Sequence, residues 1–99
     1  RGLTTYTVSK AAVIGLTQAM AVDHGRDHIR VNCICPGFFV TPINEKMYVK
    51  NKENVEREIP LKRTGGPDDL KGIAVLLSSG ASNFMTGAII PVDGGSVAW

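Results

Sequence analysis

The chain is poor in cysteine, in aromatic side chains and in long apolar runs, and each scarcity removes a class of protein. Cysteine occurs only at Cys33 and Cys35, too few for a disulfide-built scaffold and too few to make a structural zinc site alone. Their alternation inside an apolar run aims both at one face of a strand, where they are expected as small buried hydrophobes in a reducing compartment. The longest apolar stretches, residues 73–77 and 88–90, fall far short of the roughly 20 residues needed to cross a bilayer. No charged segment followed by an apolar core and a small-residue cleavage site is present, so no membrane partner and a cytoplasmic location are expected. An excess of one charge is missing too: 11 Lys and Arg against 9 Asp and Glu, the basic residues scattered without aromatic interleaving, imply no nucleic acid.

What is present is an ordinary globular composition, 43% hydrophobic and 20% charged in 99 residues, enough for one domain and one core. The chain begins with Arg1 and runs straight into a helical pattern, so it reads as cut from something longer. A helix is expected from Tyr6 to Val22, proline-free and ending before Gly25. Apolar residues surround almost its whole circumference, which predicts a sheet on one side of it and a second helix on another. Residues 29–35 suit a strand of a parallel sheet covered on both faces, bounded by Pro36-Gly37. Thr41-Pro42 reads as an N-cap with proline at the first helical position, and the lysine-rich residues 47–58 read as a mobile, partly helical loop. Gly65-Gly66-Pro67-Asp68-Asp69 is a helix start, with acids where the macrodipole favours them. Leu70, Ile73, Ala74, Leu76 and Leu77 continue it until residues 78–82 break it. Residues 87–92 form a last strand whose Pro91 argues for a sheet edge, and Gly94-Gly95 permits a tight turn. The alternation of helix and strand is an α/β arrangement.

Two residues stand out chemically. Tyr6 and Lys10 are four apart at the start of the first helix, so they share a face one turn from each other. A lysine on an otherwise apolar helix needs a reason. A free phenol, with a pKa near ~10, exchanges protons poorly at neutral pH, and a nearby ammonium favours its ionised form. Such a pair can act in general acid–base catalysis of an alcohol or ketone. The bland alternative is a snorkelling lysine beside a helix-end tyrosine. His24 and His28 have the spacing of a helical metal pair, but Gly25 between them marks the helix end and no third ligand is evident, so no metal is expected. Asn32 reads as a backbone-fixing residue, and Asp68 and Asp69 as capping charges.

Tyr6-Thr7-Val8-Ser9-Lys10-Ala11-Ala12, Ile29-Arg30-Val31-Asn32, Pro36-Gly37, Thr41-Pro42, Arg63-Thr64-Gly65-Gly66-Pro67-Asp68-Asp69 and the run from Thr86-Gly87 to Val92-Asp93-Gly94-Gly95 stand in an order and spacing that resemble the short-chain dehydrogenases/reductases over nearly the whole chain. The resemblance implies the C-terminal half of a doubly wound, parallel-sheet Rossmann-type fold, with residues 1–99 forming part of a single domain. It implies an oxidoreductase that interconverts a secondary alcohol and a ketone with NAD or NADP. Tyr6 takes the role of catalytic acid/base. Lys10 takes that of the residue that tunes the tyrosine and holds the nicotinamide ribose. Pro36, Gly37, Val40 and Thr41 form the turn that contacts the nicotinamide end of the cofactor. Ser9 is left to helix packing.

In this family the glycine-rich phosphate loop and the substrate-orienting serine precede the tyrosine helix. Both would lie ahead of Arg1, so the 99 residues alone are expected to be inactive. Members of this kind are commonly homotetramers, and a homo-oligomer is expected. Substrate choice is assigned to the loop from Phe38 to Arg57. The alternative reading is a truncated, non-catalytic fragment acting as an oligomerising interaction module.

Overall fold

Local sequence decides where the chain coils. The proline-free run at the start forms α1, Leu3–His24, in a computed structural model that describes residues 3–98. The helix does not stop on a left-handed glycine. It tightens into a 3-10 turn, Gly25–Asp27, and the residue with positive φ is His28 (φ 62°), whose amide donates to the Gly25 carbonyl. Four further elements follow: β1, Cys33–Pro36; α2, Glu45–Arg57; α3, Lys71–Ser78; and β2, Ile89–Val92. The chain divides into two compact units, residues 1–34 with 76–90 and residues 35–75 with 91–99.

In the first unit, residues 29–32 are not yet strand. The Ile29 amide donates back to the His24 carbonyl, and the hydrogen bonds of residues 30–32 go to the segment ahead of β2. The Arg30 guanidinium donates to the carbonyls of Met85, Leu77 and Ser79 at 3.1, 3.0 and 3.4 Å. The Val31 amide donates to the Thr86 hydroxyl. The Asn32 side chain donates to the Met85 carbonyl and accepts from the Ala88 amide, which is the backbone-fixing role expected of it. The Val31 carbonyl accepts from the Gly87 amide at 2.7 Å and the Cys33 amide donates to the Ala88 carbonyl at 2.8 Å, so backbone pairing starts at Val31 and β1 itself at Cys33, four residues later than the apolar run suggested.

The two strands form a two-stranded sheet. Four residues on, the Gly37 amide donates to the Val92 carbonyl at 2.9 Å. Pairing numbers that rise together make the pair parallel. Pro91 is exposed, as an edge proline should be.

The expectation for α1 needs correction. Among the described residues neither a sheet nor a helix covers most of it: Thr17 and Ala21 are buried, whereas Val8, Leu16 and Val22 are 62, 59 and 82% exposed. Ala21 packs where Gly87, held at φ 73°, leaves room for it. The apolar circumference demands cover that these residues do not supply.

In the second unit the lysine-rich stretch is a helix rather than a partly helical loop, and its N-cap is Asn44 rather than Thr41. The Asn44 side chain accepts from the Thr41 amide and donates to the Phe39 carbonyl, while its own amide donates to the Thr41 carbonyl. Three bonds from one residue close a turn over positions 41–44, so the helix starts one turn later than Thr41-Pro42 indicates. Gly66, Pro67 and the acids open a 3-10 turn, Pro67–Asp69, ahead of α3. After β2, Gly94 (φ 65°) and Gly95 (φ 94°) adopt the left-handed geometry that only glycine takes cheaply. Asp93 caps that turn by accepting from the Gly95 and Val97 amides.

Asp69 is a firmly held carboxylate of this unit. It receives a two-pronged bond from Arg63 (2.8 and 3.0 Å) and a 2.7 Å bond from the Gly66 amide. Hydrogen bonding to Arg63 first, and to Gly66 second, lowers its pKa from the ordinary 3.8 to about 2. A folded-state pKa below the unfolded value means that stability is present above the ordinary value and is lost as pH falls through the lowered one. Asp69→Asn is therefore expected to be less stable than the parent at pH 5, with the gap closing between the ordinary 3.8 and about 2. Urea midpoints across that range check this; a gap independent of pH contradicts it.

Candidate active site

The helical spacing of α1 puts Tyr6 and Lys10 one turn apart on one face, both exposed. Tyr6 is 61% accessible. The described part of the chain holds neither side chain: no carboxylate pairs with the Lys10 ammonium, and no partner takes or gives a proton at the Tyr6 hydroxyl. A lysine and a phenol with their bonding capacity unspent are suited to a bound group with hydroxyls. Ser9 sits between them on the helix, exposed as well.

The other expected site residues lie in the second unit, beyond the carboxyl end of β1, the end at which parallel sheets present ligand-binding loops. Pro36 is exposed and closes the strand. Gly37 is half-buried, and its amide is spent on Val92. A Cβ at Gly37 would stand 2.6 Å from both the Cα and the Cβ of Asp93, so this glycine is required by packing whatever else the turn does. Val40 is 38% exposed, just past the bridge that pairs Phe39 with Gly65. The Thr41 amide is committed to Asn44, which leaves its exposed hydroxyl as the group able to meet a ligand. The turn thus offers a cofactor little backbone and mainly the Thr41 hydroxyl and an apolar surface.

A cavity of about 150 Å³ in this unit is walled by Phe38, Phe39, Ile59, Leu61 and Val92, with Arg63 and Asp69 among its lining. None of Pro36, Gly37, Val40 and Thr41 lines it, although Phe38 and Phe39 between them do. Asn44, Arg63 and Arg30 carried no individual role in the sequence. For Asn44 the signal was there: an Asx residue three after a threonine closes turns through its side chain. Arg30 and Arg63 act at separations of 47–55 and 6 residues, which no local pattern reveals. Among the described residues no cluster of three or more His, Cys, Asp or Glu is placed to hold a metal, and no helix is long and apolar enough to cross a membrane.

Known proteins resemble the chain throughout. The family model described as Enoyl-(Acyl carrier protein) reductase matches residues 1–97. A (3R)-3-hydroxyacyl-CoA dehydrogenase from Mus musculus is 46% identical over 95% of this chain and 36% of its own length. A 3-oxoacyl-[acyl-carrier-protein] reductase from Thermotoga maritima is 42% identical over 97% of this chain and 39% of its own. Among solved structures, a short-chain type dehydrogenase/reductase from Mycobacterium marinum superposes with a TM-score of 0.89 at 42% identity, over 97% of this chain and 37% of that one. A dehydrogenase structure from Agrobacterium tumefaciens with bound NADP gives 0.86 at 38% identity, over 95% and 39%. The chain spans less than two fifths of the length of these relatives.

Because the space beside Gly37 is filled by Asp93 itself, Gly37→Ala is expected to destabilise the protein by about 1–3 kcal/mol through overpacking. A denaturant melt of the variant checks this; unchanged stability would mean that the turn yields freely.

Proposed function

The chain belongs to the short-chain dehydrogenase/reductase family and carries part of that family's Rossmann-type α/β fold, and on that premise we propose that it serves the reversible interconversion of a secondary alcohol and a ketone. The observation that carries this reading is the uncommitted Tyr6 and Lys10 pair, one helical turn apart and open to solvent.

The residues fit a nicotinamide cofactor, NAD or NADP. Lys10 has three donors without a partner among the described residues, suited to a pair of ribose hydroxyls. The Thr41 hydroxyl and the surface of Pro36 and Val40 suit the nicotinamide end. When bound, the cofactor supplies the acceptor or donor of hydride. The protein's part is the proton. In the oxidative direction the Tyr6 oxygen takes the proton of the substrate hydroxyl as the carbinol C–H bond breaks; in reduction it returns that proton to the carbonyl oxygen. Lys10 stands one helical turn from Tyr6 on the same face, where it can hold the cofactor ribose beside the proton transfer.

The relatives support a substrate class to try first. The mouse and Thermotoga proteins are named for 3-hydroxyacyl and 3-oxoacyl thioesters, which are a secondary alcohol and the corresponding ketone. A homo-oligomer in the cytoplasm remains our reading of the assembly; the bare apolar flank of α1 supports burial against further polypeptide.

Tyr6→Phe, made in the full-length natural protein, is expected to abolish NAD(P)H-dependent reduction of acetoacetyl-CoA while leaving cofactor affinity nearly unchanged. Steady-state rates with cofactor fluorescence titration check both halves. Full activity in the variant overturns the assignment.

A further inference from the structure

Helix α2 is two helices joined at a bend, and the bend carries a bond that a straight helix would not provide. Asn51 has φ −120° and ψ 21° inside Glu45–Arg57, and its side-chain amide donates to the Met47 carbonyl at 3.0 Å. A side chain that bonds the carbonyl four residues back competes with the backbone ladder and bends the helix there.

Across this bend the Tyr48 hydroxyl donates to Glu56 Oε2 at 2.8 Å. Helix neighbours are three or four residues apart. Residues eight apart are about 12 Å apart along a straight axis and about 80° apart around it, so this pair is not one that helical periodicity supplies. Tyr48 and Glu56 are both half-buried.

The two halves are anchored differently. Beyond the C-terminal half, Ile59 is 5% exposed and packs where Gly94 leaves room, and the Leu61 amide donates to the Gly94 carbonyl. The N-terminal half follows the Asn44 turn, and its Tyr48 ring lies 6.0 Å from the ring of Phe38. Phe38 directly follows Pro36-Gly37. The Tyr48 to Glu56 bond therefore ties the Phe38 end of the turn to the fixed end of the helix.

We propose that Tyr48 and Glu56 form a latch across the Asn51 bend that positions the Phe38 to Thr41 turn for substrate. Both are positioning residues: they act through Phe38 and the N-terminal half of α2, not on the reacting atoms. The proposal rests on the oxidoreductase reading above for its substrate half, and on the geometry of this unit alone for the latch itself.

The test uses Tyr48→Phe, Glu56→Leu, which leaves no acceptor, and the double variant in the full-length protein. Tyr48→Phe keeps the ring against Phe38 and removes only the donor. Amide hydrogen exchange over residues 45–57 is expected to quicken in each single variant and no further in the double, because one bond is lost in all three. With NADPH and acetoacetyl-CoA as probes, KM is expected to rise roughly fivefold, the scale of one hydrogen bond, with kcat little changed. A purely structural defect would lower the amount of active enzyme and leave KM alone. Unchanged exchange in Tyr48→Phe, or effects that add in the double variant, overturn the latch. Faster exchange without a change in KM overturns its link to substrate. No turnover of any 3-oxoacyl thioester by the unsubstituted protein counts against the oxidoreductase reading, and the substrate half falls with it, while the exchange data still decide the latch.

Discussion

The arrangement depends on how β1 is brought alongside β2. Backbone pairing alone spans only the short strands, and the approach is made by side chains: Arg30 holds three carbonyls of the segment from Leu77 to Met85, and Asn32 bridges Met85 and Ala88. A guanidinium has five donors in a rigid fork and an amide has both a donor and an acceptor, so two residues satisfy four backbone groups of an irregular stretch, the Met85 carbonyl twice. Buried or half-buried backbone groups left unpaired would each cost about 1–3 kcal/mol. With this contact made, the strands run parallel and Pro36-Gly37 emerges at the carboxyl end of β1.

In the function we propose, chemistry falls to side chains that the described residues leave uncommitted. Most polar groups around the turn after β1 are used internally: the Gly37 amide on Val92, the Thr41 amide on Asn44, Asp93 on its own glycine turn. Tyr6 and Lys10 are the contrast, an acid/base group and a cation without a partner among the described residues. Structural pairs such as Arg63 and Asp69 saturate each other and pull the carboxylate down to about 2.

Legibility from the sequence followed the range of the interaction. Elements set by local signals were found: α1 from its proline-free apolar run, the helix start at Gly66-Pro67, the strand bearing Pro91, the left-handed turn at Gly94-Gly95. Asn32 was correctly read as a backbone fixer because a polar amide inside an apolar run has few other uses. The errors came where side chains override propensity. Asn44 moved the start of α2 past Thr41, and Arg30 and Asn32 delayed β1 to Cys33. The pairing of Tyr48 with Glu56 follows only from a bend that no periodicity encodes. The cover predicted for α1 is not supplied by the described residues, and the chain spans less than two fifths of the length of the relatives it matches.

The central claim is that Lys10 and Tyr6 are left open for a nicotinamide cofactor and a carbonyl substrate. A crystal structure of the full polypeptide with NADP tests it most directly. The account predicts the Lys10 ammonium within about 3.2 Å of the nicotinamide ribose hydroxyls and the Tyr6 hydroxyl facing the nicotinamide ring. A bound cofactor with both side chains turned away into solvent, or engaged by protein groups alone, contradicts it.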